Sequence, residues 1–86
     1  MNKSKEQLRN KIDAIDEQIA SLLKSRFALA KAIGELKKNT NSPILDALRE
    51  QEVLLNASNA VLNEDEKVAI INIYKTIITE CKNLQK

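Results

Sequence analysis

The stretch LRNKIDAIDEQIASLLKSRFALAKAIGELKK, residues 8–38, decides the fold. Its apolar residues recur at alternating steps of four and three, the spacing of a heptad-like stripe along one side of a helix. This apolar stripe consists of Leu8, Ile12, Ile15, Ile19, Leu22, Leu29, Ile33 and Leu36. Gly34 weakens a helix by about 1 kcal/mol, but Lys37 and Lys38 suit the negative end of the helix dipole. We expect one helix over residues 6–38.

A second helix is predicted after the helix-breaking sequence NTNSP at residues 39–43. Ser42 would be its N-cap and Pro43 its first helical residue, because proline is favoured at that position. The apolar residues that follow predict that this helix runs to about residue 58.

A third helix is predicted after a softer break at residues 57–60. Asn63, with Glu66 three residues later, resembles a capping box that starts a helix. Apolar residues then cover a wide arc between Val68 and Leu84. We therefore expect the third helix to be buried on more than one side.

Composition favours an all-α fold with a single domain over residues 1–86. Aromatic residues make up 2% of the chain, with one glycine and one proline, which disfavours turn-rich sandwiches and barrels.

A helix over residues 6–38 would be about 50 Å long, longer than a compact three-helix monomer of this size. Two antiparallel copies about a two-fold axis would cover each other's stripes. We expect three helices per chain in an entwined homodimeric helical bundle.

The residue inventory excludes several kinds of chemistry. Histidine is absent and Cys81 is the one cysteine, so a Ser/His/Asp triad, a zinc site with His or several Cys ligands, and a disulfide framework are ruled out. We expect no cofactor and no metal. The remaining functional groups are carboxylates, amides, lysines and arginines.

The charge pattern bears on partners and location. The net charge of +2 is small and spread along the chain, too diffuse for a nucleic-acid binding surface. The N-terminal residues lack the apolar run of a signal peptide, and no stretch approaches the roughly 18 apolar residues of a membrane span. We expect a cytoplasmic protein with a reduced thiol that binds neither nucleic acid nor membranes.

Arg26 occupies a position where the apolar stripe should continue. Lys37 follows eleven residues later, at about the same azimuth and about 16 Å along the helix axis, so the two could flank one ligand. An arginine in such a stripe more often reaches solvent or fixes the helix register. A lysine near a helix C-terminus is ordinarily a dipole partner. The spacing alone leaves both interpretations open.

Two further sets of polar residues share helix faces. Asp46, Arg49 and Glu50 are spaced to project from one face of the second helix, and Cys81 and Gln85 from one face of the third. These faces could enclose a small polar pocket between helices. Each set also has a structural interpretation: a solvated charged face, a small buried cysteine and a frayed terminal glutamine.

Three segments of the sequence together resemble the all-helical chorismate mutase family along nearly the whole chain. They are residues 8–38, SPILDALREQEVL at 42–54 and IYKTIITECKNLQ at 73–85. The resemblance lies in the LRxKIDxID opening, an Arg followed eleven residues later by a Lys, the pattern PIxDxxRE, and a late Gln. The family's fold is an entwined three-helix homodimer, which agrees with the length of the first helix.

The resemblance implies a set of site residues. They are Arg9, Arg26, Lys37, Asp46, Arg49, Glu50, Cys81 and Gln85. The arginines would bind the substrate's carboxylates or brace the site. Arg26, Lys37 and Gln85 would be catalytic, with Lys37 and Gln85 donating hydrogen bonds to the substrate's ether oxygen.

The remaining roles also come from the resemblance. Asp46 and Glu50 would position the ring hydroxyl, and Cys81 stands where relatives often carry a small hydroxyl residue. Arg9, by itself a surface charge, would enter the other subunit's site. Arg9 and Arg26 are seventeen residues apart, about 25 Å on a straight helix, which is too far to bind the same small molecule.

The implied reaction is the rearrangement of chorismate to prephenate, a unimolecular [3,3] shift. No proton is transferred, so the enzyme needs no histidine. It needs charges that hold a dianion in its reactive conformer and stabilise the ether oxygen as its bond breaks.

Two other functions are compatible with the same fold. One is isochorismate-pyruvate lyase activity, against which Glu50 argues, and the other is a non-catalytic helical dimerisation module. The length of the chain implies a mutase that is monofunctional or works with a separate synthase partner.

Overall fold

The computed structural model of the chain describes residues 2–40 and 46–86. These residues form three helices, α1 (Asn2–Thr40), α2 (Ala47–Ser58) and α3 (Glu64–Gln85). No strand occurs within the two described segments. The prediction of an all-α chain with three helices and a long first helix is therefore confirmed, and α1 extends a few residues further at both ends than its apolar pattern indicated.

The length of α1 determines the shape of the molecule. It contains 39 residues, and the principal-axis extents are 58 × 26 × 15 Å. The radius of gyration is 16.4 Å, against about 12 Å for a compact domain of this length. Much of α1 therefore projects beyond the other two helices.

The start of α2 differs from the prediction. Asp46 is extended, with φ −136° and ψ 90°, and its carboxylate accepts a hydrogen bond of 3.0 Å from the backbone N–H of Arg49. Asp46 is thus the N-cap and α2 begins at Ala47. The predicted N-cap Ser42 and first helical residue Pro43 lie outside the described residues. The expectation that Asp46 is already helical is wrong, because its side chain is used to cap the helix.

The predicted start of α3 is confirmed. Asn63 is extended, and its Oδ1 accepts hydrogen bonds from the backbone N–H groups of Asp65, at 2.8 Å, and Glu66, at 3.3 Å. Two N–H groups that have no partner within the helix are satisfied in this way. The acidic first turn, Glu64 to Glu66, also complements the positive end of the helix dipole.

Packing is centred on α3, which contacts both α1 and α2. The buried apolar side chains of the described residues are small or few: Ala30, Ala57, Ile78 and Cys81. By contrast, the residues of the apolar stripe remain between 45% and 70% exposed. A single chain therefore leaves most of the apolar surface of α1 in contact with water, where burial would be worth about 25 cal/mol per Å².

None of the described helices combines the length and the apolar character that a bilayer crossing requires.

We predict that Asn63→Ala lowers the free energy of unfolding by about 1 kcal/mol, because two backbone N–H groups lose their acceptor. Asn10→Ala is the matched control, since Asn10 is exposed in the interior of α1 and alanine is the better helix former. Chemical denaturation of both variants at one protein concentration measures the difference. Equal stabilities would contradict the role of the cap.

Candidate active site

A pocket with a volume of about 390 Å³ lies between the C-terminal half of α1, the start of α2 and the C-terminal half of α3. This volume is in the range of small-molecule sites. Seven of the eight predicted site residues line it: Arg26, Lys37, Asp46, Arg49, Glu50, Cys81 and Gln85. Three helices therefore bring together side chains that are up to about sixty residues apart in sequence.

Arg26 turns from α1 towards α3. Its Nη1 donates a hydrogen bond to Cys81 Sγ at 2.9 Å, and Cys81 is 3% exposed. Arg26 is half-buried, and its guanidinium contacts Cys81, so the side chain does not extend freely into solvent as an arginine in an apolar stripe often does. A guanidinium has five N–H donors in one plane. It can therefore contact the thiol and bind a carboxylate at the same time.

Glu50 forms an ion pair across helices. Its Oε2 lies 3.0 Å from Lys82 Nζ, and the two side chains are 28% and 31% exposed. This oxygen is shielded from solvent and receives no directed hydrogen bond from the described residues, so the ammonium is close but poorly aligned. The attraction is stronger here than between fully exposed charges. Lys82 therefore holds the Glu50 carboxylate at the pocket wall.

Lys82 is the charged lining residue that the sequence patterns did not single out. Within α3 it is simply a basic residue beside Cys81, and its partner Glu50 lies on α2. Spacing along one helix cannot reveal a pair formed between two helices. The available signal was charge complementarity between two helices: packing the α2 face against the α3 face places the acidic Glu50 opposite the basic Lys82.

Arg49 and Asp46 lie at the exposed edge of the pocket. Arg49 Nη1 is 3.5 Å from Glu52 Oε1, with both side chains about two thirds exposed. Asp46 Oδ1 accepts the hydrogen bond from the Arg49 backbone. Asp46, Arg49 and Glu50 all line the pocket, but Asp46 does so from the N-cap rather than from within α2, and the side chains of Arg49 and Glu50 pair with different residues.

Lys37 and Gln85 approach the pocket from different helices. Lys37 is half-buried on α1, three turns after Arg26, and Gln85 is half-buried on the last turn of α3. Gln85 Oε1 is shielded from solvent and has no hydrogen-bond partner among the described residues. Rotation of the terminal amide by half a turn would exchange this oxygen with the Nε2 donor.

The pocket carries a surplus of positive charge. Four lining residues are cationic, Arg26, Lys37, Arg49 and Lys82, and two are acidic, Asp46 and Glu50. The formal excess is two positive charges, which favours a small molecule with two negative charges. Apolar side chains from all three helices complete the lining. No cluster of three or more acidic or thiol ligands suited to a metal ion occurs in the described parts of the chain.

Arg9 does not contribute to this pocket. It lies exposed near the start of α1, about 25 Å along the helix from Arg26. The structure of one chain therefore gives the pocket seven of the eight predicted residues and leaves Arg9 outside it.

Comparison with known proteins explains why these residues occur together. The sequence profile described as chorismate mutase type II matches residues 8–86. The chain belongs to the chorismate mutase type II family. The resemblance inferred from three sequence segments is thereby confirmed, and so is the classification of the chain as a mutase of this family.

Two curated relatives match nearly the whole chain. A bifunctional chorismate mutase/prephenate dehydratase from Aquifex aeolicus is 39% identical over 88 residues, covering 93% of this chain and 23% of that protein. A chorismate mutase from Methanocaldococcus jannaschii is 35% identical over 82 residues, covering 93% of this chain and 82% of that protein. The chain thus spans less than a quarter of the bifunctional relative but most of the second one.

A solved structure supports the three-helix fold. A conserved hypothetical protein from Pyrococcus furiosus is 41% identical, with a TM-score of 0.81, and the match covers 94% of this chain and 93% of that one. At this level of identity the helical architecture, including the long α1, is shared.

We predict that Lys82→Met destabilises the chain by about 1 to 2 kcal/mol, because the shielded Glu50 oxygen loses its cation. Lys67→Met is the matched control: Lys67 lies on the same helix with a side chain 35% exposed, but its partner Glu64 is 87% exposed at 3.8 Å. Such a pair contributes about 0.5 kcal/mol or less. If chemical denaturation showed the same loss of unfolding free energy for both variants, the Glu50–Lys82 pair would contribute no more than an exposed ion pair.

Proposed function

We propose that this pocket converts chorismate to prephenate. The carbon–oxygen bond of the ether breaks while a carbon–carbon bond forms within the same molecule, so no atom or proton is gained or lost. The observation that carries the proposal is that Arg26, Lys37 and Gln85, from two helices, line one pocket with two surplus positive charges. Membership of the chorismate mutase type II family supports the same reaction.

The reaction makes two physical demands on the protein. The substrate must be held in the compact conformer in which the two reacting carbons face each other. The negative charge that grows on the ether oxygen must also be stabilised in the transition state. Neither demand requires a general base, a metal or a cofactor, so fixed cations and amides suffice.

Arg26 binds one substrate carboxylate. Its contact with Cys81 at 2.9 Å fixes the plane of the guanidinium, which favours bidentate binding of a carboxylate. Cys81 is a weaker hydrogen-bond donor than a hydroxyl residue, so it acts mainly as the support for Arg26.

Lys37 and Gln85 donate to the ether oxygen. They approach from α1 and α3, so the oxygen can lie between an ammonium and an amide. Gln85 donates through Nε2, and its shielded position keeps water from competing for that bond. Because the charge on the ether oxygen appears only as the bond breaks, these two contacts raise kcat more than they improve binding.

The acidic residues position the ring hydroxyl. Glu50 accepts its hydrogen bond while Lys82, 3.0 Å away, keeps the carboxylate in place. Asp46 contributes through its second carboxylate oxygen or its backbone, because Oδ1 caps α2. Arg49 braces the site at its exposed edge, where its backbone N–H holds the Asp46 carboxylate and its side chain pairs with Glu52.

The second substrate carboxylate requires a partner chain. We propose an antiparallel homodimer centred near Glu17 and Gln18, in which Arg9 of the partner subunit lies opposite Arg26. The stripe residues, 45% to 70% exposed in one chain, would be covered by the same stripe of the second copy. A two-fold dimer is the simplest arrangement that covers this surface. The cytoplasmic location and a separate synthase partner stay predictions.

We predict that Lys37→Ala lowers kcat for chorismate at least 10²-fold, the scale of losing one oxyanion donor. Lys38→Ala is the matched control, because Lys38 is the neighbouring lysine and pairs with Glu35 on the surface. The assay follows the loss of chorismate absorbance and identifies the product as prephenate.

A folded Lys37→Ala variant with the turnover of Lys38→Ala would contradict the proposed mechanism. Isochorismate is tested in parallel: pyruvate and salicylate as the main products, with chorismate left intact, would assign the pocket to the lyase reaction instead.

A further inference from the structure

Gly34 lies where the last turn of α3 crosses α1. Gly34 is buried, and a Cβ placed on it would lie 2.6 Å from the carbonyl oxygen of Gln85, 2.7 Å from its Cα and 3.0 Å from its carbonyl carbon. Non-bonded carbon atoms are at their best separation near 3.5 to 4.0 Å. All three atoms are backbone, so no side-chain rotation can relieve the overlap.

We propose that Gly34 is a positioning residue: its missing side chain allows the backbone of Gln85 to lie directly on α1, which sets the Gln85 amide into the pocket near Lys37. The inference rests on the proposed function, because it concerns the donors to the ether oxygen. Gly34 does not line the pocket, but it would fix the separation between Lys37 and Gln85, which do.

The neighbouring positions on α1 show that the requirement is local. Ala30, one turn earlier on the same face, is buried at 5% exposure and lines the pocket. A methyl group is thus accommodated there, whereas at Gly34 even a methyl group is too large. Alanine is the better helix former, so a helix free of this contact would favour alanine at position 34 as well.

The position of Gly34 links the two ether donors. Lys37 follows it by three residues on α1 and so lies one turn further along nearly the same face. Gln85 lies over Gly34 through its own backbone. The crossing therefore fixes Gln85 with respect to Lys37 without involving a flexible side chain.

A shift of the last turn of α3 would act selectively. Cys81 and Lys82, which contact Arg26 and Glu50, lie a turn before Gln85 on α3. A methyl group at position 34 pushes on Gln85 first, so the carboxylate and hydroxyl contacts are retained. The expected result is a loss of transition-state stabilisation with little change in substrate binding.

The test is a double-mutant cycle with Gly34→Ala, Gln85→Ala and the two combined, assayed for kcat and KM with chorismate. Gly34→Ala should lower kcat about tenfold or more, close to the effect of Gln85→Ala, and change KM less than about threefold. In the Gln85→Ala background, adding Gly34→Ala should change kcat less than about twofold. Ala28→Ser, which adds one heavy atom at an exposed position of α1, should leave both constants unchanged.

Three kinetic results would overturn the inference. The first is a kcat for Gly34→Ala within twofold of the unsubstituted protein. The second is an undiminished effect of Gly34→Ala in the Gln85→Ala background, because the glycine would then act through another residue. The third is a normal kcat for Gln85→Ala, and in that case the result with Lys37→Ala still decides the proposed function separately.

Amide chemical shifts measure the displacement independently of activity. Gly34→Ala should shift the amide signals of Leu84 to Lys86 and leave those of α2 in place. Shifts spread over the whole chain, or loss of the fold, would also overturn the inference, because the glycine would then support the bundle in general.

Discussion

The apolar stripe of α1 is the constraint on which the rest of the structure depends. α1 is 39 residues long, and α3 packs on only part of it, so the stripe residues stay at least 45% exposed in a single chain. An exposed apolar surface of this extent is typical of an interaction site, and covering it would stabilise such a small core. The same helix carries Arg9 at one end and Arg26 and Lys37 towards the other. If two copies cover each other's stripes, they also bring these charges together.

The pocket depends on contacts that α3 makes with both neighbours. Towards α1, Cys81 holds the Arg26 guanidinium, and Gly34 admits the backbone of Gln85. Towards α2, Lys82 holds Glu50. Each contact places a charged or polar group at the wall of a cavity of about 390 Å³. The chemistry we propose needs little more, because a unimolecular rearrangement is accelerated by position and charge alone.

The sequence predicted what depends on local signals. The stripe of α1 and the Asn63 cap each follow from the sequence of a single helix. The family resemblance predicted seven residues that line one pocket. The predicted start of α2 was wrong although Ser42 and Pro43 are a typical start signal, because Asp46 a few residues later forms the cap. Contacts between two helices could not be predicted from patterns along one of them. Gly34 appeared only as a weak helix former, because no pattern along α1 shows which atom of α3 lies against it.

The most direct test mixes two inactive variants, Arg9→Ala and Arg26→Ala, refolded together in equal amounts. If Arg9 serves the partner's site, about half of the dimers are mixed, each with one complete site, and about a quarter of the original activity returns. A mixture of Arg26→Ala and Lys37→Ala should stay inactive, because both residues belong to the same chain's site. If the first mixture also stays inactive, the shared site that we propose is wrong.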